Sequence, residues 1–330
     1  MNITTDEGRR TNDETSSSFV LRPSSLVVIV GPTAAGKTTL SIDLAEAVGG
    51  EIVSADSRQI YRGMDIGTAK VTAAERARVP HHLLNVVTPD QVLSLAEYQA
   101  LAYAAIAEIH ARGRLPFLVG GTGQYIKAVV EGWRIPAVAP HPELRAELEA
   151  MASAEGAEAL HGWLAALDPA AAARIDYRNV RRVIRALEVC LVTGQRITEL
   201  QRKNPPPFEI LQIGVTRPRP ELYARIDARV DHMIATGLLD EVRCLDAAGY
   251  VRELPAMTGL GYRQIGEYLR GEVTLDEAIT RIKKGTRRFV QQQYNWFRLE
   301  DPAIHWVDPG VTQAVDVLAA TLGFPPAYSG

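Results

Sequence analysis

Val27-Val28-Ile29-Val30-Gly31-Pro32-Thr33-Ala34-Ala35-Gly36-Lys37-Thr38-Thr39 is an apolar, β-branched run that passes into G-x-x-x-x-G-K-T, and Leu40-Ser41-Ile42-Asp43-Leu44-Ala45 continues it as a helix. The glycine pattern alone arises by chance, but strand, loop and helix in this order give it a mechanism. Gly31 and Gly36 let the backbone curl so that its N–H groups face phosphate oxygens. The helix N-terminus adds partial positive charge, Lys37 a full one, and the Thr38 hydroxyl suits Mg²⁺. The segment Gly31, Pro32, Thr33, Ala34, Ala35, Gly36, Lys37, Thr38 therefore reads as a cradle for a di- or triphosphate.

Outward from this loop, strand and helix patterns alternate. Strands are predicted over 26–30, 51–54, 82–87 and 115–119, and helices over 37–48, 95–111 and 123–131. A βαβ series of this kind gives a P-loop NTPase-like parallel sheet flanked by helices, with ligands at the strands' carboxyl ends. Strand signals vanish over 135–207, where helical segments at 141–166 and 179–200 are interrupted by Asp168-Pro169 and closed by Asn204-Pro205-Pro206-Pro207. A strand at 209–215 resumes the core, followed by helices near 220–236, 238–247, 262–269 and 275–297. The expected organisation is a disordered leader (1–24), a P-loop α/β core (25–134 and 208–330) and an α-helical insertion domain (135–207).

With 330 residues, 46% of them apolar, the chain can bury a full core, and a net charge of −3 confines any basic surface to local patches. Cys190 and Cys244 lie in apolar helical patterns, which excludes a disulfide framework and suits the cytoplasm. No apolar run approaches the ~20 residues of a membrane span, and the leader lacks the apolar stretch of a signal peptide.

Asp56 follows the second strand in Ser54-Ala55-Asp56-Ser57-Arg58-Gln59, well placed to accept a proton beside a phosphate loop; an ordinary turn aspartate fits the spacing equally. Gly120-Gly121-Thr122-Gly123 opens a helix after the fourth strand, and Thr122 reads first as an N-cap. Arg178, Arg181, Arg182 and Arg185 recur at helical spacing opposite Val180, Val183, Ile184 and Leu187, a basic stripe for a polyanion unless acids such as Glu188 pair with it. Arg225 and Arg229 are four apart and can fork onto a pyrophosphate, with Asp227 and Asp231 as competing ion-pair partners. His81-His82 reads as structural rather than as a metal pair.

These motifs, in order, resemble the isopentenyltransferase (IPP transferase) family that modifies tRNA. The resemblance covers roughly residues 26–299 and rests on the phosphate loop, on Asp56-Ser57-Arg58-Gln59-Ile60-Tyr61-Arg62-Gly63-Met64-Asp65-Ile66-Gly67-Thr68-Ala69-Lys70 and on His81-His82-Leu83. Leu118-Val119-Gly120-Gly121-Thr122-Gly123-Gln124-Tyr125, Asp168-Pro169 to Arg174-Ile175, Arg185-Ala186-Leu187-Glu188-Val189 and Gly261-Tyr262-Arg263-Gln264 complete it. It implies transfer of a dimethylallyl group from dimethylallyl diphosphate, bound on the phosphate loop, to N6 of adenosine 37 in the anticodon stem-loop of tRNA. Asp56 would take the N6 proton, Lys37 and Arg229 would hold the diphosphate, and Mg²⁺ on Thr38 would share its charge. Contacts to tRNA are implied for Asp56, Ser57, Arg58, Gln59, Thr122, Arg145, Arg181, Arg182, Arg185, Gly261, Tyr262 and Arg263, with the base flipped from its stack. A monomer is the expected form. The chain departs from the family at Gln291-Gln292-Gln293, where Lys-Arg-Gln is usual, so two positive charges are missing.

Other classes remain open on the residues alone. A transferase acting on free adenine nucleotides would share the core but has no use for the arginine stripe. A small-molecule kinase would need a Walker-B carboxylate, and no strand ends in an obvious one; a regulatory NTPase without transfer chemistry would leave Asp56 unexplained.

Overall fold

The computed structural model describes residues 25–136, 138–309 and 316–317, so the expected leader and most of 310–330 lie outside the described residues. Six strands, β1 (Leu26–Val30), β2 (Glu51–Ser54), β3 (His81–His82), β4 (Pro116–Val119), β5 (Ile210–Val215) and β6 (Ile304–Val307), form one parallel sheet in the order β3-β2-β4-β1-β5-β6. The central strand β1 is fully buried and apolar throughout because both of its faces are covered. Val28 sits opposite Leu118 of β4 and Gln212 of β5.

Val27 and Ile29 pack against α1 (Lys37–Ala47) and α10 (Arg219–Ala235) through Leu40, Leu44, Leu222 and Ile226. Leu26, Val28 and Val30 point the other way, onto α3 (Leu95–Ala111) and α4 (Gly123–Val130), where Tyr98, Ile106 and Ile126 meet them. The strand period of two sorts neighbouring residues between two cores. Removing one such side chain, Ile29→Ala for instance, costs about 2–5 kcal/mol.

The strand expected over 82–87 is only two residues long. Leu83 and Asn85 take φ values of 60° and 55°, which turn the chain out of the sheet. Asn85 and Val87 donate their N–H groups to the carbonyls of Gln59 and Ile60 instead, at 3.2 and 3.1 Å. The edge strand β6 and α2 (Ala73–Arg78) were not foreseen, although Thr72 and Glu75 form a capping box that the sequence displays.

The long helical segments of the insertion break where glycine permits a left-handed or unusual φ. Gly156 separates α5 (Pro142–Glu155) from α6 (Ala157–Leu167), and Gly194 at φ 68° ends α8 (Val180–Thr193) before α9 (Ile197–Leu200). The Asp168-Pro169 signal is the N-cap of the single turn α7 (Pro169–Ala172). Buried Asp168 also accepts the Thr198 N–H at 3.0 Å and so ties α7 to α9. These helices share a core of their own, with Leu148, Leu160, Leu164, Val183 and Leu187 at its centre. They join the sheet unit through a short antiparallel neck, in which Arg134 N donates to Arg202 O at 2.7 Å and Asn204 N to Gly132 O at 2.8 Å. A fourth core gathers α11 (Leu238–Ala247), α12 (Tyr262–Leu269) and α13 (Leu275–Trp296) around Ile60 and Met64. Cys190 is buried as expected, but Cys244 is exposed; both are free thiols. Among the described residues, no helix is long and apolar enough to cross a membrane.

Candidate active site

Three loops leave the carboxyl ends of β1, β2 and β4 and meet over one cleft, lined by Thr33, Lys37 and Thr38, by Asp56 and Gln59, and by Gly120. Arg225 and Arg229 of α10 close it from the side. Gly31 holds φ 136° against β5, and a Cβ there would lie 2.2 Å from the Val215 carbonyl oxygen. Glycine at this position is dictated by both backbone and space. The loop's curl also places Ala34 at φ 65°, a strained non-glycine residue of the kind found at ligand sites.

Positive charge converges on this loop. Lys37 Nζ donates to Pro32 O at 2.7 Å, and Arg229 Nη1 donates to Thr33 Oγ1 at 3.1 Å. Arg225 Nε reaches Ala34 O and Arg217 Nε reaches Ala35 O, each at 2.9 Å. Arg217 is neutralised by Glu221 and Asp308, whereas Lys37, Arg225 and Arg229 form no ion pair with a described carboxylate. The competing partners, Asp227 and Asp231, turn away to Arg287 and Lys283 on α13. Burial and the neighbouring Arg229 pull the Lys37 amine down to about 7, with Asp56 opposing them. Burial and Arg225 lower Arg229 too. Concentrated, partly desolvated positive charge of this kind is met by an anion.

Asp56 is the one carboxylate among the described residues of the cleft. One of its oxygens accepts the Arg58 N–H at 2.8 Å, so the turn reading is correct as well; the other accepts nothing from a described residue. Thr122 occupies the N-cap position of α4 but its side chain caps nothing, contrary to expectation. Its Oγ1 accepts the Ser57 N–H at 3.0 Å and donates to Ser57 Oγ at 3.2 Å, fastening the Asp56 turn to the loop after β4.

The expected nucleic-acid contacts separate into free and committed groups. The basic stripe is not four unpaired arginines. Arg185 and Arg145 both bind the buried Glu188, at 2.6 and 2.8 Å, and hold its carboxyl down to about 2 against the desolvation that would raise it. Arg178 precedes α8 and pairs with Asp176. Arg181 and Arg182 are exposed and form no ion pair among the described residues. Arg58 is spent on the carbonyl of Pro255 at 2.8 Å, and the Gln59 amide lies 3.3 Å from Ala69 O. Tyr262 is buried with its hydroxyl donating to Glu241 at 2.5 Å; of Gly261, Tyr262 and Arg263, only Arg263 is exposed. His82 pairs with Glu51 at 2.6 Å, His81 Nδ1 donates to Val79 O at 2.7 Å, and no cluster of metal-binding side chains exists among the described residues.

Sequence reasoning missed Gln293. It regarded the glutamine run as missing charge, yet Gln293 is buried, with Oε1 accepting the Thr33 N–H at 2.8 Å and Nε2 donating to Gly121 O at 3.0 Å. Its place on an amphipathic helix carries no local signal of this.

The IPP transferase family profile matches residues 59–300. A tRNA dimethylallyltransferase of Roseiflexus sp. (strain RS-1) is 61% identical over 273 residues, 83% of this chain and 90% of that protein. One from Thermomicrobium roseum is 54% identical over 288 residues, 87% of each chain. Among solved structures, the tRNA isopentenylpyrophosphate transferase of Bacillus halodurans superposes with TM-score 0.64 at 46% identity, over 86% of this chain and 90% of that one. A eukaryotic dimethylallyltransferase acting on tRNA gives TM-score 0.74 at 27% identity, over 86% of this chain and 73% of that one. With a strand-end cleft that sets unpaired cations beside a single carboxylate, and with this agreement along its length, the chain belongs to the IPP transferase family.

Proposed function

We propose that this chain transfers the dimethylallyl group of dimethylallyl diphosphate to N6 of the adenosine next to the tRNA anticodon, at position 37, releasing diphosphate. The observation that carries the reading is the shared cleft. A cationic phosphate loop and one carboxylate with a free oxygen face each other across it.

The diphosphate lies on the loop from Gly31 to Thr38, where Lys37, Arg225 and Arg229 take up its charge. The bond from C1 of the allyl group to the bridging oxygen breaks, and the N6–C1 bond forms. Negative charge grows on the departing diphosphate, so each preorganised donor acts most strongly in the transition state; single donors of this type contribute about 10²–10³-fold. The N6 proton passes to Asp56, kept in register by the Arg58 N–H and by the Thr122–Ser57 link. The Thr38 hydroxyl opens onto the cleft without a described hydrogen-bond partner and suits Mg²⁺. Bound there, Mg²⁺ supplies further charge neutralisation to the diphosphate.

Arg181 and Arg182 on the insertion offer the exposed charge that a tRNA backbone needs. Every group the reaction uses lies in one chain, in keeping with a monomer, and tRNA as acceptor is in keeping with the cytoplasm. The names of the close relatives favour tRNA over a free nucleotide as acceptor. Incubation with radiolabelled dimethylallyl diphosphate, unmodified tRNA and AMP, followed by nucleoside analysis, tests this. Label in tRNA adenosine is expected; label in AMP alone overturns the acceptor.

A further inference from the structure

Gln293 is a glutamine 4% exposed near the end of a helix that otherwise buries Ala278, Ile282 and Val290. A carboxamide in such a place needs partners for both ends, and it has them on two different catalytic loops. Its oxygen accepts from Thr33 of the diphosphate loop and its nitrogen donates to the Gly121 carbonyl after β4. The fit is close: a Cβ at Gly121 would stand 2.2 Å from Gln293 Nε2, so residue 121 must be glycine for the amide to reach. Each anchor leads onward within one residue. Thr33 accepts from Arg229 through its hydroxyl, and Thr122, next to Gly121, holds the Ser57 N–H beside Asp56.

We infer that Gln293 is a positioning residue that sets the distance between the diphosphate donor and the general base, resting on the reading of the 31–38 loop as the diphosphate cradle. The pieces run in series: Arg229, Thr33, Gln293, Gly121 with Thr122, then Ser57 with Asp56. One side of Gln293 faces the leaving group and the other faces the base. Only a side chain of this length with an acceptor and a donor on one planar group serves both loops. A protonated glutamic acid does so, a glutamate anion does not, and methionine fills the space without either bond.

The test uses the full chain carrying Gln293→Glu or Gln293→Met, against wild type, from pH 6 to 9. It reads the single-turnover transfer rate at saturating substrates and the affinity for inorganic pyrophosphate. Gln293→Met is expected to slow transfer about 10- to 100-fold, the scale of a small misplacement of reacting groups, by the same factor at every pH. Gln293→Glu is expected to match it at pH 9 and to recover toward wild type as the acid protonates and regains its bond to Gly121. Lys37, Arg225, Arg229 and Asp56 line the adjoining cleft in both proteins, so their contributions cancel in the variant-to-wild-type ratio. A Gln293→Glu variant at wild-type rate at pH 9, or Met and Glu variants at wild-type rate whatever their melting temperatures, overturns the inference. Should Gln293→Met fail to fold, the Glu ratio alone decides. Wild type that binds pyrophosphate but labels no tRNA would defeat the proposed acceptor instead; weaker pyrophosphate binding by Gln293→Met than by wild type would then still support the inference, and equal binding would overturn it.

Discussion

Lys37 donates its amine to the carbonyl oxygen of Pro32, five residues back in its own loop, at 2.7 Å. The phosphate-binding lysine is thus folded onto the backbone of the cradle it serves. A diphosphate offers it a charged acceptor in place of a neutral one, which favours the protonated amine.

Diphosphate binding should therefore take up a proton. Burial and Arg229 put the Lys37 amine at about 7 in the free protein, and the anion raises it. Above pH 7 the amine must be protonated on binding, so affinity falls as pH rises through this range; below 7 Lys37 adds no pH dependence. Calorimetry of pyrophosphate binding at pH 8, in buffers of different ionisation enthalpy, should show net proton uptake that Lys37→Ala loses. Equal uptake in the variant would contradict the assignment. The same lowered value makes the folded chain gain stability between about 7 and the unfolded lysine value near 10.4.

Asp56→Ala should lower the single-turnover rate about 10²–10⁴-fold, the usual contribution of a positioned base, with a smaller effect on tRNA affinity. Asp56→Asn keeps the turn bond to the Arg58 N–H and should be as slow, because an amide cannot take the proton. A fast Asn variant would reduce Asp56 to a turn residue.

The paired Arg181→Ala, Arg182→Ala variant should reduce the salt dependence of tRNA binding by about two units or somewhat less. Single-turnover rate at saturating tRNA should be retained, since neither residue reaches the cleft. An unchanged salt slope would mean that this exposed face carries no phosphate.

Arg145→Ala and Arg185→Ala should act differently, through stability. Each removes a partner from the buried Glu188 and is expected to cost about 1–3 kcal/mol, visible as a lowered melting temperature. The Glu188 carboxyl, held at about 2, contributes stability that is present above the ordinary glutamate range and lost as pH falls from there toward 2. Wild type should lose stability in that window by an amount that Glu188→Gln does not. Identical acid curves would contradict the role given to Glu188.

The parallel sheet, the phosphate loop and the placement of Asp56 after the second strand were legible in the chain because each is encoded locally. β1 reads as a buried strand from five consecutive apolar residues, and Gly31 and Gly36 mark a backbone that only glycine adopts freely. The family resemblance added the acceptor and the role of Arg229. What the tertiary structure decided is which polar groups stay available. Arg145 and Arg185 look like free charges until Glu188 is found between them, and Tyr262 looks exposed until α11 brings Glu241 to its hydroxyl. Gln293 gains its meaning only when α13 crosses the mouth of the sheet and delivers one amide to two loops. Helix and turn signals act over a few residues, whereas a hydrogen bond between segments hundreds of residues apart depends on how whole elements pack. No window of sequence contains that information.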